Sequence, residues 1–307
     1  MNSQKKFAVV IVTYNRKKLL MECIEAILKE KVPINYIIIV DNGSTDGTNS
    51  ILYKYKGNSR FIIRCEDKNR GGAYGFYQGI KISLDLEWEW LIIIDDDAIL
   101  DNNFTERIQE AIAKYPENKA FSGKVLTQGE IAKEHRARNF LKLIYKPFPA
   151  KEKEYNKESF EYELSSFCGL VIHRNVIEKV GLPLKEFFIR NDDFEYSLRI
   201  GKYTKIRNIN NAIINHKTVI STREKDFSWK LFYNMRNAIY ISGKHYGIVA
   251  KIEISIRYIL GMILNIIRYG ILRKKSIVDI IKVYRDAILS GIKDETGFDC
   301  RYHSGKN

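Results

Sequence analysis

Six short polar clusters in this 307-residue chain carry side chains able to do chemistry. The most conspicuous is Asp95-Asp96-Asp97, directly after the apolar run Leu91 to Ile94. On an extended strand end Asp95 and Asp97 project to one side and Asp96 to the other. Adjacent carboxylates repel, so two converging on one point call for a cation. A hard divalent ion with oxygen ligands, Mg²⁺ or Mn²⁺, suits them and leaves room for substrate phosphates. A solvated acidic strand end is the plainer alternative.

The other clusters are weaker signals singly. "VTYNR" offers Thr13, Tyr14, Asn15 and Arg16, with Arg16 suited to a phosphate or to a helix surface. "VDNGSTDGT" places Asp41 before a flexible Ser/Thr/Gly turn. "NRGGAYGF" supplies Asn69, Gly71 and Gly72, where backbone can approach a ligand closely, without the spacing of a dinucleotide or Walker loop. "NDDFE" puts Asp192 and Asp193 at a helix start, which suits a general base or merely the helix dipole. His216 ends an apolar run and is either a metal ligand or a surface histidine.

The elements that must position these groups alternate. Phe7–Asn15, Tyr36–Asp41, the run "RFIIRCED" and Trp90–Asp97 read as strands, with helical periodicity over 16–30, near 49–55, and after "NRGG". Such alternation predicts a mostly parallel sheet flanked by helices, with ligands bound beyond the carboxyl ends of the strands, where the polar clusters fall. Residues 101–115 read as helix, 128–163 as a long charged surface flap, and "SSFCGLVIH" and "NNAIINHKT" as strands. From about Trp229 to 292 the pattern is helical.

Net charge is +14, and between Lys244 and Lys293 ten Lys/Arg face three Asp/Glu. This basic, aliphatic-rich stretch predicts contact with an anionic membrane surface or, more plainly, a helical subdomain packed on the core. It lacks the interleaved aromatic residues expected of a nucleic-acid binder. Four dispersed cysteines give no metal or redox spacing. No signal-peptide profile or run of about 18 apolar residues occurs, so the expected place is cytoplasmic, peripheral on the inner membrane face.

Taken in order, the six clusters resemble family 2 nucleotide-sugar glycosyltransferases with a GT-A (Rossmann-like) fold, over about residues 6–220. The resemblance implies a catalytic unit at 1–225, with a nucleotide-binding half (1–100) and an acceptor-binding half (101–225), followed by a helical basic extension (226–307). It implies that Thr13, Tyr14, Asn15, Arg16, Asp41, Asn69, Gly71, Gly72, Asp95 and Asp96 border the donor. Asp95, Asp97 and His216 would then hold Mn²⁺ or Mg²⁺, Asp193 would be the base of an inverting displacement, and Asp192, Cys168 and Gly169 would meet the acceptor. "GGAYGF", the triple Asp and "NDDFEYSLR" look most like bacterial galactofuranosyltransferases using UDP-galactofuranose. Rhamnosyltransferases using dTDP-rhamnose are similar, and Asn191 stands where the former often carry Trp. A polyprenyl-diphosphate-linked glycan is the acceptor this implies. A sugar nucleotidyltransferase, or a membrane-binding protein without activity, are the competing readings.

Overall fold

The computed structural model describes residues 5–139, 141, 143–217, 229–271 and 276–303. The first half is a β/α alternation. Strand β1 (Phe7–Thr13) leads to α1 (Lys17–Leu28), β2 (Ile34–Asp41), the short α2 (Thr48–Leu52), β3 (Phe61–Cys65), α3 (Gly72–Ser83) and β4 (Trp90–Asp95). Then come β5 (Ala98–Leu100), α4 (Phe104–Lys114), β6 (Ala120–Thr127), β7 (Glu130–Ile131), β8 (Arg136–Arg138) and β9 (Phe148–Pro149). After β10 (Ser159–Tyr162) and β11 (Leu164–Ser165) follow β12 (Leu170–His173), α5 (Arg174–Val180), α6 (Asp192–Ile200) and β13 (Ile206–His216). Three helices close the chain: α7 (Lys230–Tyr246), α8 (Ile248–Asn265) and α9 (Ile277–Ile292).

The main path of the large sheet is β10-β13-β6-β12-β4-β1-β2-β3. β1 pairs parallel with β2 and β4, β2 with β3, and β6 with β13. β12 lies antiparallel between β4 and β6, so those two share a direction. Six of the eight path strands therefore run one way, and only β10 and β12 are reversed. The sheet is buried on both faces. Ile92 and Ile94 of β4 enter one core cluster, Leu91 and Ile93 the other. This two-sided burial is why β4 reads as a continuous apolar run and not as an alternation.

The expected flap at 128–163 is corrected: most of it is folded. It contributes β7 and β10 and, with β8 and β9, two of the three strands of the small sheet β11-β8-β9. Charged letters concealed this because Arg136 is fully buried. Its guanidinium donates to the carbonyls of Gly123, Cys168 and His135 and to Asn208 Oδ1, at 2.7–3.2 Å. A buried cation so satisfied organises a core. The expected extension is helical, but it is not separate. Ala238, Ile239, Ile254 and Ile288 share one apolar cluster with Ala73, Tyr145, Leu164 and Phe187. The expected boundary at 225/226 lies outside the described residues. Among the described residues no helix is long and apolar enough to cross a membrane.

Candidate functional site

The carboxyl ends of β1, β2 and β4 open onto a cavity of about 800 Å³, within the usual range for small-ligand sites. Thr13, Arg16, Asp95 and Asp96 line one side of it. Thr13 sits level with Asp41, and Val12 with Asp95, so strand register alone brings three predicted residues together. Thr13 Oγ1 donates to Asp96 Oδ2 at 2.7 Å. Arg16 Nη1 bridges Asp96 Oδ1 (3.2 Å) and Asp97 Oδ2 (2.5 Å), supplying a positive charge to the triplet. The Asp95 carboxylate accepts no hydrogen bond from a described residue. Burial, then Asp97 and Asp96, push it up to about 7. Burial raises Asp96 to about 6, held back by Thr13 and Arg16.

Asn42, Asn69, Gly71 and Gly72 form the adjoining wall. The Asn42 amide donates to Asn69 Oδ1 and to the Gly71 carbonyl, stapling this turn. Gly71 has φ +87°, and a Cβ there would lie 2.1 Å from the Phe188 carbonyl oxygen, so only glycine fits. Asp41 is fully buried. Its Oδ1 accepts from the Ser44 amide, while Oδ2 has no partner. Tyr14 lines the cavity, whereas Asn15 turns to the 42–48 loop, accepting from the Thr45 amide at 2.7 Å.

His216 Nε2 lies 3.2 Å from Asp97 Oδ1. Burial pulls this imidazole's pKa down, but the hydrogen bond and charge of Asp97 outweigh it and leave it raised. The ring packs edge-on against His135 at 4.9 Å, and burial, with Arg136, lowers His135 to about 3. The expected set of Asp95, Asp97 and His216 is not assembled as a cage. Among the described residues no group of three His, Cys, Asp or Glu is arranged to hold a metal. What the residues do fit is a cation brought with a diphosphate, since Mg²⁺ commonly takes only one or two carboxylates from the protein. Asp95, lining the cavity with no hydrogen-bonding partner, is the group placed for it.

Asp192 and Asp193 begin α6, outside the lining of the cavity. Burial, then Asp193 and Asp95, raise Asp192 well above the usual carboxylate range, which places it in reach of the triplet's field. Burial raises Asp193 to about 6, against the Phe194 amide and Arg190, which favour its charge. Cys168 and Gly169, expected to meet the acceptor, both lie away from the cavity lining. The Cys168 side chain belongs to the core, and Gly169 packs against Ile214, whose Cδ1 would lie 2.0 Å from an added Cβ.

Sequence reasoning missed the opposite wall: Phe188, Trp229, Lys230, Phe298, Cys300 and His303. Five of these six come from the extension. It also missed how the loop before α6 is held. Phe188, Arg190 and Asn191 all have positive φ, at 64°, 68° and 61°. Such backbone costs energy at non-glycine residues and persists only where its surroundings enforce it. Here the buried Asn237 amide of α7 donates to the carbonyls of Phe187, Ile189 and Arg190, at 3.1, 3.0 and 2.8 Å. Arg236 orients that amide through Asn237 Oδ1 and itself reaches the Phe187 and Gly297 carbonyls. Burial draws this guanidinium down to about 10. The one available signal was the stretch "YNMRN" at 233–237.

A mixed, largely parallel sheet with carboxylates at the end of a central strand and a cavity above it defines a ligand-binding α/β enzyme of the nucleotide-binding kind. The glycosyl transferase family 2 profile matches residues 8–181, more than half of the chain, which therefore belongs to that family. Among curated relatives, poly-β-1,6-N-acetyl-D-glucosamine synthase of Staphylococcus epidermidis is 28% identical over 114 residues, 37% of this chain and 27% of its own. Glycosyltransferase GlyG of Streptococcus pneumoniae serotype 4 is 32% identical over 106 residues, 34% of each. The chain thus spans about a third or less of these relatives. Among solved structures, S. aureus TarS 1–349 in complex with UDP superposes with a TM-score of 0.56 at 15% identity, covering 94% of this chain and 83% of that one. GalNAc-T7 with UDP, GalNAc and Mn²⁺ gives 0.60 at 16% identity, covering 78% and 48%.

Proposed function

We propose that the chain transfers a sugar from a UDP-sugar to a hydroxyl of a growing bacterial surface glycan, with inversion at the anomeric carbon. The observation that carries this reading is the position of half-buried Asp95 and buried Asp96, carboxylates at the mouth of β4 lining a ligand-sized cavity. Asp41 Oδ2, buried without a partner at the neighbouring strand end, is suited to accept from the N–H of a uracil or thymine base. Thr13, Tyr14, Arg16, Asn69, Gly71 and Gly72 then surround the rest of the nucleotide. Mn²⁺ or Mg²⁺ held at Asp95, with Asp97 and His216 behind it, would offset the charge that develops on the departing diphosphate.

In this reading Asp193 takes the proton of the acceptor hydroxyl as that oxygen bonds to the anomeric carbon. The nucleoside diphosphate leaves from the opposite face, and no covalent enzyme intermediate forms. Asp192, beside it, orients the acceptor. Asn237 and Arg236 keep the strained 187–191 loop, and with it both carboxylates, in place. The acceptor is read as a polyprenyl-diphosphate-linked glycan, and the place of work as the cytoplasmic face of the membrane.

The donor sugar has two readings. The motifs favour galactofuranose. The likeness to S. aureus TarS, solved with UDP-GlcNAc, and to the poly-β-1,6-N-acetyl-D-glucosamine synthase favours N-acetylglucosamine. A turnover screen of UDP-galactofuranose, UDP-GlcNAc, UDP-GalNAc and dTDP-rhamnose, each with Mn²⁺, Mg²⁺ or EDTA, decides between them. One UDP-sugar should be consumed with metal and none with EDTA. Consumption of dTDP-rhamnose alone selects the rhamnosyl alternative. Pyrophosphate release from a nucleoside triphosphate and a sugar phosphate, with no nucleotide sugar consumed, would overturn the proposal in favour of a nucleotidyltransferase.

A further inference from the structure

Helix α8 buries only a narrow face. Ala250, Lys251, Ile254 and Ser255 turn inward. On the outer side Ile248, Ile252, Ile256, Ile259, Ile263 and Ile267 follow one another at intervals of three or four residues, all exposed. That spacing sets them in one stripe along the helix and the π-helical turn that continues it. Val249 (77% exposed), Leu260 and Leu264 (67%) widen the stripe. At its far end Gly270 packs against Ile277, and the exposed Ile277, Val278 and Ile281 carry the apolar surface onto the first turns of α9. Solvent-facing aliphatic surface of this extent is costly unless something covers it.

We infer that this face is a membrane-docking surface: α8 lies in the plane of the bilayer, with its isoleucine stripe among the acyl chains of an anionic leaflet. Three observations select that occupant. Exposed cations border the stripe, with Lys244 before it, Arg268 at its end and Lys282 and Arg285 on α9. The sequence of the α8–α9 link adds Arg273, Lys274 and Lys275, bringing the region to ten Lys/Arg against three Asp/Glu. A second copy would present the same excess of positive charge and be repelled, whereas phosphate headgroups attract it. No described helix qualifies as a span, and a helix held to the protein along its inner face, with its aliphatic side outward, is placed to rest in the interface.

This deepens the reading above, which places the acceptor on a membrane lipid, but its evidence is independent of it. The test uses the whole chain in vesicle flotation, with phosphatidylcholine alone and with phosphatidylcholine containing phosphatidylglycerol. The native chain should float with the anionic vesicles and do so less as salt rises. Ile252→Glu/Ile256→Glu/Ile263→Glu changes only solvent-facing positions, so its melting temperature and UDP binding should match the native chain. Its partitioning should fall about tenfold or more. Flotation that is equal for native and triple variant, or absent for the native chain, would overturn the proposal. A native dimer made monomeric by the triple variant, without flotation, would assign the face to a second copy instead. Donor turnover measured without vesicles separates the two readings: its loss defeats the transferase and leaves the docking surface standing, and the reverse holds too.

Discussion

Asp193 holds its proton more tightly than a free carboxylic acid because burial penalises its charge, and Arg190 and the Phe194 amide return only part of that cost. Its charge in turn helps raise its neighbour Asp192 and the phenol of Tyr145, both held up chiefly by burial. A base works ionised, so kcat/KM should climb as pH rises through about 6 and level off above. Asp193→Asn should lower kcat roughly 10³-fold with UDP affinity retained, as read by titration calorimetry. A variant with native turnover would remove Asp193 from this role. At this scale the residues legible beforehand were those whose neighbours in sequence are also neighbours in space: Thr13 to Arg16, Asp41, and Asp95 to Asp97. Strand register set them side by side. His135 was not legible, because a lone histidine in a charged context carries no pattern, and "YNMRN" at 233–237 marks the stretch of Asn237 without saying which loop its amide holds. The burial of the Cys168 side chain was not legible for a related reason, since a motif position does not say which way its side chain turns.

Glu30 shows how one element leans on another. It follows α1 and is buried, and its Oε2 accepts from the Thr105 amide and hydroxyl at the first turn of α4. Burial, partly offset by those bonds, pushes it up to about 7, and Oε1 has no partner. The folded chain therefore holds this proton where the unfolded chain has released it. Stability contributed by the neutral form is present below about pH 4.5, declines as pH rises toward 7, and is absent above. Glu30→Gln keeps an acceptor for Thr105 and carries no charge. Thermal unfolding should show the variant equal to the native chain near pH 5 and more stable at pH 8 by roughly 1–2 kcal/mol, its unpartnered amide limiting the gain. At this scale strands and helices were legible up to β4 because their apolar runs are unbroken. Legibility failed over 128–163, where β8 is "RAR" and its two partners, β9 and β11, are strands of two residues. A buried arginine satisfied by carbonyls inverts the rule that charge marks the surface.

Over the whole molecule, the sequence suggests a catalytic unit with an appended basic tail, and composition supports that picture because the charge is concentrated at one end. Composition does not report where a tail returns. Here it returns across the mouth of the sheet, and Trp229, Phe298 and His303 line the same cavity as Thr13 and Asp95. The Asn237 amide ties α7 to the loop before Asp192, and one apolar cluster contains residues of both regions. Two parts that share a core do not melt independently. Denaturant unfolding of a Trp229→Phe variant, followed by far-UV circular dichroism, which weights the terminal helices, and by fluorescence of the remaining Trp88 and Trp90 in the sheet region, should give coincident single transitions. Two separated transitions would show the extension to be a domain in its own right. In a single cooperative unit, a destabilising change anywhere in α7 is felt at the loop before Asp193, so if Asp193 is the base proposed above, catalysis constrains variation in the terminal helices even at residues far from any substrate.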